Sequence, residues 1–393
     1  MADVNLAPNA TEANMLDYLN WRGDLTFDVS PFNEVDNLIL SEITYADLSG
    51  IAGGLADDGT VSIERAYEVY DAMRRNQAFL GNDPKPAFAA AARSRRFGNT
   101  RIGLYRREIS SEKKFQFSAM TFFLEDGSVY VGYRGTDSSI VGWREDFAFA
   151  YMRETGGQEK ARRYLDRVCE LTGNMPVRVG GHSKGGNLAV HAAAFCKPEN
   201  RDRIAAVYSN DGPGFRHEVT ESEEYAAIMD RAVSIIPESS MIGILLANKL
   251  EREVICSSAK GIQQHNPYTW CVTGTSFDRA EKQSQQSQMI EDIFMGWFNS
   301  LEPDQTEAFV KAIFDTLEGT GAETFRELKA DTKYLGLIYK AAQEMDPDLR
   351  KGFLDVAQKL LDSGWDVIST GAKTSMSAFA EGLWSRGGSD EEE

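Results

Sequence analysis

The sequence predicts an α/β protein: a mostly parallel central sheet, with an N-terminal helical leader and a helical C-terminal extension. Three observations carry this expectation. Short apolar runs bounded by Gly, Pro and Asn, namely PVRVGG, IAAVYSN, AVSIIP and EVICSS, fill the middle of the chain. Such runs alternating with helices read as strands covered on both faces. A hairpin signal precedes them, two β-rich runs around Asp126-Gly127 in FQFSAMTFFLEDGSVYVGYRGT. Between them, VRVGGHSKGGNLAVHAA joins a strand to an apolar helix through a serine flanked by glycines.

Residues 1–100 read as a helical leader packed on the core. MLDYLNW mixes aromatics with charge, as an ordered segment does. In SIERAYEVYDAMRRN, Ser62 is placed to cap a helix and Glu64 puts negative charge in its first turn. The capping box is incomplete, because Arg65 stands where Glu or Gln would complete it. Ala66, Val69, Tyr70 and Met73 then recur at helical spacing. Residues 101–274 form the expected core, with a helix through Glu159 to Leu165 ahead of the strand series.

Residues 275–384 read as helical. Pro303 sits just inside one start, with Phe309, Ile313, Phe314 and Leu317 spaced along one face and Gly319 and Gly321 at its end. From Gly364 to Gly382 the pattern turns rich in small residues. That fits a bundle or lid over the core, or a surface that meets a partner or a membrane interface. Residues 385–393 are an acidic tail.

Charge narrows the function classes. The chain of 393 residues carries 42 Lys and Arg against 60 Asp and Glu, a net −18. A polyanion partner needs a clustered basic surface, and the densest basic stretch, Arg93 to Arg107, is short and interrupted. Nucleic acid and anionic membrane are therefore poor partners. Cys169, Cys196, Cys256 and Cys271 form neither a CxxC nor a Cys/His spacing, so no metal or cofactor is called for. The start, MADVNLAPNATEANML, lacks a basic n-region and an apolar h-region. No window approaches the roughly 18 apolar residues of a membrane span. The expectation is a cytoplasmic protein.

Chemistry concentrates in Gly181-His182-Ser183-Lys184-Gly185, a G-x-S-x-G after a strand and before a helix. That is the setting of a nucleophile elbow, where a strained turn presents Ser183 and the helix N-terminus aims N–H groups at developing negative charge. The base must be one of four histidines. His182 adjoins the serine and reads as a packed strand-end residue. His191 lies about 12 Å along the helix, too far to take the proton. His217 remains open, and His265, in a late loop after the last strand, is the choice that chain order favours. Asp211 and Glu238 both end strands and both remain candidates for the acid, Asp211 being preferred. Lys184 N–H and Thr136, in the loop RGTDSS, are the expected oxyanion donors.

These residues resemble a family. YVGYRGTDSSIVGWREDF followed by VGGHSKGGNLAVHAA is similar to the class 3 lipases, which place an aromatic-Arg-Gly-Thr/Ser segment, then a Trp and an Asp, ahead of G-H-S-x-G-G-x-L-A. The leader around Tyr18, Trp21, Gly23 and Asp24, with YSNDGPGF and a late HNPYTW, looks closer still to the bacterial Mbeg-like group, lipase-like α/β-hydrolases of unknown function. The resemblance spans roughly residues 15–275. It implies an α/β-hydrolase fold, Ser183 as nucleophile and Thr136 as oxyanion residue, with His265 matched by order and position. Two departures stand out. Class 3 lipases carry the triad Asp in the loop after the strand matching AVSIIP, and here that loop, Pro237 to Gly243, has none. The residue after the nucleophile is Lys184 where the lipases commonly have Leu, which suits an anionic or polar acyl substrate.

The expected function is a serine esterase of the lipase type, taking a small-molecule acyl substrate through an acyl-enzyme. Two alternatives stand beside it: thioester, amide or acyl-transfer chemistry on the same machinery, and a degenerate hydrolase scaffold used for binding.

Overall fold

The computed structural model describes residues 12–54, 59–73, 83–137, 139–300 and 302–319. Its helices are α1 (Met15–Arg22), α2 (Glu34–Ile43), α3 (Ile63–Ala72), α4 (Lys85–Arg93), α5 (Ile140–Ala148), α6 (Gly156–Thr172), α7 (Lys184–Phe195), three single turns α8 (Pro198–Arg201), α9 (His217–Thr220) and α10 (Glu223–Ala226), then α11 (Gln285–Ser300) and α12 (Pro303–Gly319). Expectations for residues 320–393, including the small-residue stretch and the acidic tail, lie outside the described residues.

Eight strands form one sheet in chain order: β1 (Val61–Ser62), β2 (Arg101–Ser110), β3 (Phe115–Phe123), β4 (Val129–Tyr133), β5 (Val177–His182), β6 (Ile204–Asn210), β7 (Ala232–Pro237) and β8 (Glu251–Ile255). β1 to β4 pair antiparallel and β4 to β8 parallel. The Asp126-Gly127 turn joins β3 to β4 as the hairpin signal predicts, Gly127 taking a φ of 80°. A two-stranded hairpin, β9 (Val272–Thr273) and β10 (Ser276–Phe277), lies apart. The leader is helical as expected but also supplies β1.

Alternation along β4 sorts the two cores. Tyr130 packs into an apolar cluster with Leu38, Ile39, Phe88 and Trp270, built largely from α1 to α4 and the segment after β8. Val129, Val131 and Tyr133 face the other side, with Leu165 of α6 and Leu188 of α7. Asn33 and Asp36 form a complete capping box on α2. Asp36 also pairs, fully buried, with Arg96, which pins the leader helix to the segment entering β2. At the far end α12 rests on α5: Arg144 meets Asp315 at 2.6 Å, and Phe147 packs on Phe314 with ring centroids 5.5 Å apart.

A central sheet with its parallel half flanked by helices, and a strand–serine–helix turn at the C-terminal end of β5, is an α/β-hydrolase fold. Among the described residues no helix is long and apolar enough to cross a membrane.

Candidate active site

Ser183 connects β5 to α7 with φ 59° and ψ −132°, a conformation a side-chain-bearing residue holds only under constraint. The glycines make it attainable. A Cβ on Gly185 would stand 2.2 Å from the Tyr133 carbonyl oxygen, and one on Gly181 would stand 2.4 Å from the Gly185 backbone. The turn closes only because both side chains are absent. Among the described residues the Ser183 hydroxyl makes no hydrogen bond, and the side chain is partly open to solvent.

Strand register then brings Asp211 alongside. His182 pairs with Asn210 across β5 and β6, and the Ser183 N–H donates to the Asn210 carbonyl at 2.9 Å. Asp211 follows directly, also left-handed with φ 48° and fully buried. Its Oδ2 lies 2.6 Å from His265 Nδ1, and its Oδ1 accepts from the Ser240 hydroxyl and the Gly243 N–H. With the carboxyl accepting on both oxygens, a neutral imidazole here carries its proton on Nδ1 and leaves Nε2 as the acceptor. That is the tautomer a base needs.

The loop bearing His265 is held on both sides. Gln264 accepts from the Ser239 N–H at 2.7 Å, and its carbonyl accepts from the Trp270 indole at 2.8 Å. Glu238, the other candidate acid, makes no hydrogen bond or ion pair with His265 among the described residues. It lines a surface groove of about 470 Å³ with Cys256 and residues 279–285, which includes neither Ser183 nor His265. The structure therefore brings Asp211 and not Glu238 to the imidazole. His191 is buried between Phe195 and Phe215, and burial pushes its imidazole down to about 3. His217 is exposed at the start of α9.

Thr136 lies just past β4, and its hydroxyl donates to Asp146 Oδ2 of α5 at 2.5 Å. Burial pushes the Asp146 carboxyl up to about 7, against the opposing pull of Lys184. The loop runs close to the elbow, since a Cβ on Gly135 would stand 2.7 Å from the His182 carbonyl oxygen. The Lys184 N–H opens α7, where a helix leaves its N–H groups unpaired.

The Lys184 side chain departs from expectation. It points inward, fully buried, with Nζ 2.5 Å from Glu145 Oε2 and 3.0 Å from the Gln116 carbonyl. Its charge is satisfied inside the protein and does not face an incoming substrate, so the inferred preference for anionic acyl groups loses its basis. Sequence reasoning also missed Asp146, ten residues past Thr136, as the partner of that hydroxyl. It missed Glu42 and Tyr45 of the α2 region beside His182 as well. The one signal for Glu42 is a lone carboxylate inside the apolar run LILSEITYA.

A family model described as Mbeg1-like matches residues 91–315, more than half of the sequence. The chain belongs to the Mbeg1-like family. No curated protein matches it. Solved structures similar to this Mbeg1-like chain include M37 lipase, at 13% identity over 53% of this chain and 68% of that one, with a TM-score of 0.35. Another is the Rhizomucor miehei lipase in its propeptide complex, at 13% identity over 70% and 90% of the two chains, with a TM-score of 0.34.

Proposed function

We propose that this Mbeg1-like protein is a serine hydrolase that cleaves carboxylic esters through an acyl-enzyme. The observation that carries the proposal is the Asp211–His265 hydrogen bond of 2.6 Å at the strand end beside the Ser183 elbow. His265 Nε2 takes the Ser183 proton as the oxygen bonds to the ester carbonyl carbon. Negative charge collects on the carbonyl oxygen, where the backbone N–H groups of Lys184 and Thr136 serve as donors. Collapse expels the alcohol, which receives the proton from His265. Water then attacks the acyl-Ser183, again giving its proton to His265, and the acid leaves with Ser183 restored.

The reading is supported by the tautomer that Asp211 imposes and by the strained serine, since strain of this kind persists where the surroundings over-determine it. Leaving-group class stays open, because the same machinery serves thioesters and amides. The test is labelling with a fluorophosphonate. Covalent modification of wild type, lost in Ser183→Ala and in His265→Ala, is the expected result. A wild-type protein that takes no label at Ser183 would leave the binding-scaffold reading in its place.

A further inference from the structure

His182, the residue before the candidate nucleophile, is fully buried and lies against the candidate base. Its ring packs on the His265 ring with centroids 4.5 Å apart and planes inclined by 35°. Its Nε2 lies 2.9 Å from the His265 carbonyl oxygen. A carbonyl only accepts, so Nε2 carries the proton and Nδ1 is left as an acceptor. The Tyr45 hydroxyl stands 3.1 Å from that Nδ1 and 3.3 Å from the His182 carbonyl oxygen, and Glu42 Oε1 lies at 3.8 Å, beyond hydrogen-bond distance. Both Glu42 oxygens are buried without a hydrogen-bond partner. Burial and the neighbouring His265 hold His182 well below the ordinary histidine range, so its ring is neutral and keeps one fixed tautomer. Trp270 packs edge-on against the same ring at 6.1 Å.

We propose that His182 is a positioning residue for His265: its N–H holds the His265 carbonyl and its ring backs the imidazole, while the Tyr45 hydroxyl, from the leader, lies on its Nδ1. The inference rests on the hydrolase reading for its effect on rate. It adds that the leader, which precedes the family-matched residues 91–315, helps to build the site. A residue that only fills space would be replaced by any side chain of similar volume. A positioning residue is replaced only by one that keeps the N–H.

The experiment separates these roles with His182→Gln, which retains a donor near the Nε2 position, and His182→Phe, which retains the ring alone. Two readouts are taken: the rate of fluorophosphonate labelling, and the proton NMR resonance of the Nδ1–H shared by His265 and Asp211. His182→Phe is expected to label about 10–100-fold more slowly, the scale of a small misplacement of a reacting group, and to exchange the shared proton faster. His182→Gln should recover most of both. Should the Phe variant not fold, Tyr45→Phe carries the test, with slower labelling and faster exchange expected. Equal labelling and an unchanged shared proton in His182→Phe, or in Tyr45→Phe where that stands in, would overturn the proposal. If wild type takes no label, the hydrolase reading fails, and the proton resonance alone still decides whether His182 holds His265.

Discussion

Lys184 Nζ lies 2.5 Å from Glu145 Oε2, and both side chains are buried. The residue that follows the candidate nucleophile thus sends its charge backwards, onto the helix that follows the candidate oxyanion loop. Glu145 also accepts from the Gln116 N–H at 2.9 Å and from the Gly157 N–H at 2.5 Å. One carboxylate therefore ties together β3, α5, the start of α6 and the start of α7. The elbow is thereby tied to α5, the helix that follows the candidate oxyanion loop.

Removing one partner of such a pair leaves the other charge buried. Lys184→Met is expected to lower stability by about 3–5 kcal/mol in urea unfolding, the usual cost of breaking a buried pair from one side. Adding Glu145→Gln should restore part of the loss. The ratio of rates for anionic and neutral acyl esters should not change in the single variant. A loss under about 1 kcal/mol, or a changed ratio, would refute the inward role.

Thr136 offers a second measurement. Its hydroxyl proton already goes to Asp146, so under the proposed mechanism the hydroxyl acts by fixing the loop and the backbone N–H is the donor. Thr136→Val is then expected to slow labelling about 10-fold, less than the ~10²–10³ for loss of a donor in direct contact. Thr136→Ser should recover most of it. A loss of the full size in Thr136→Val would instead make the hydroxyl itself the donor.

How much of this was legible in the sequence follows from the range of the interactions. The elbow, the β3–β4 hairpin and α6 are written in local patterns: flanking glycines, an Asp-Gly turn, a helical period. β2 escaped because RIGLYRREIS carries four charged residues in ten and breaks register between Gly103 and Arg106. The choice between Asp211 and Glu238 needed the pairing of His182 with Asn210, which no spacing reveals. Lys184 was misread for a related reason. Chain position says that a cation neighbours the serine, and only the orientation of α7 says that it points away. Glu42 and Tyr45 reach His182 across 137 residues or more of chain, from α2 and the turn after it, which carry no motif.

Glu42 gives a pH prediction with a definite sign. Burial pushes its carboxyl from 4.5 up to about 8. Nearby titratable groups are His182, held neutral by burial, and Tyr268, raised by burial and by Glu42 itself. A raised carboxyl stabilises the fold fully below the unfolded value, and that stability is lost as pH rises toward the folded value. Between pH 6 and pH 8 the wild type should lose ~2–3 kcal/mol that Glu42→Gln does not lose. Asp146, raised to about 7 but partly exposed, adds a smaller slope of the same sign. Thermal unfolding of both proteins across this range reads the difference, and parallel curves would show that Glu42 ionises as freely folded as unfolded.

The acid assignment leads to the most demanding test. Asp211 accepts on both oxygens, from His265 on one side and from Ser240 and Gly243 on the other. Asn at this position keeps the shape and one acceptor but offers an amide N–H₂ in place of the other. If Oδ1 stays with Ser240 and Gly243, the amide N–H₂ faces His265. Nδ1 must then become the acceptor, which moves the imidazole proton to Nε2, and Ser183 loses its base. Asp211→Asn is therefore expected to slow fluorophosphonate labelling by about 10³–10⁴ while the protein stays folded, the scale set by reversing the tautomer of a catalytic histidine. Glu238 touches neither ring nor loop in this way, so Glu238→Gln should label within about 3-fold of wild type, less than 0.7 kcal/mol of barrier. Nitrogen NMR of the histidine side chains should show the His265 tautomer inverted in Asp211→Asn alone. The opposite order of effects, with Glu238→Gln crippled and Asp211→Asn active, would move the acid to the loop after β7.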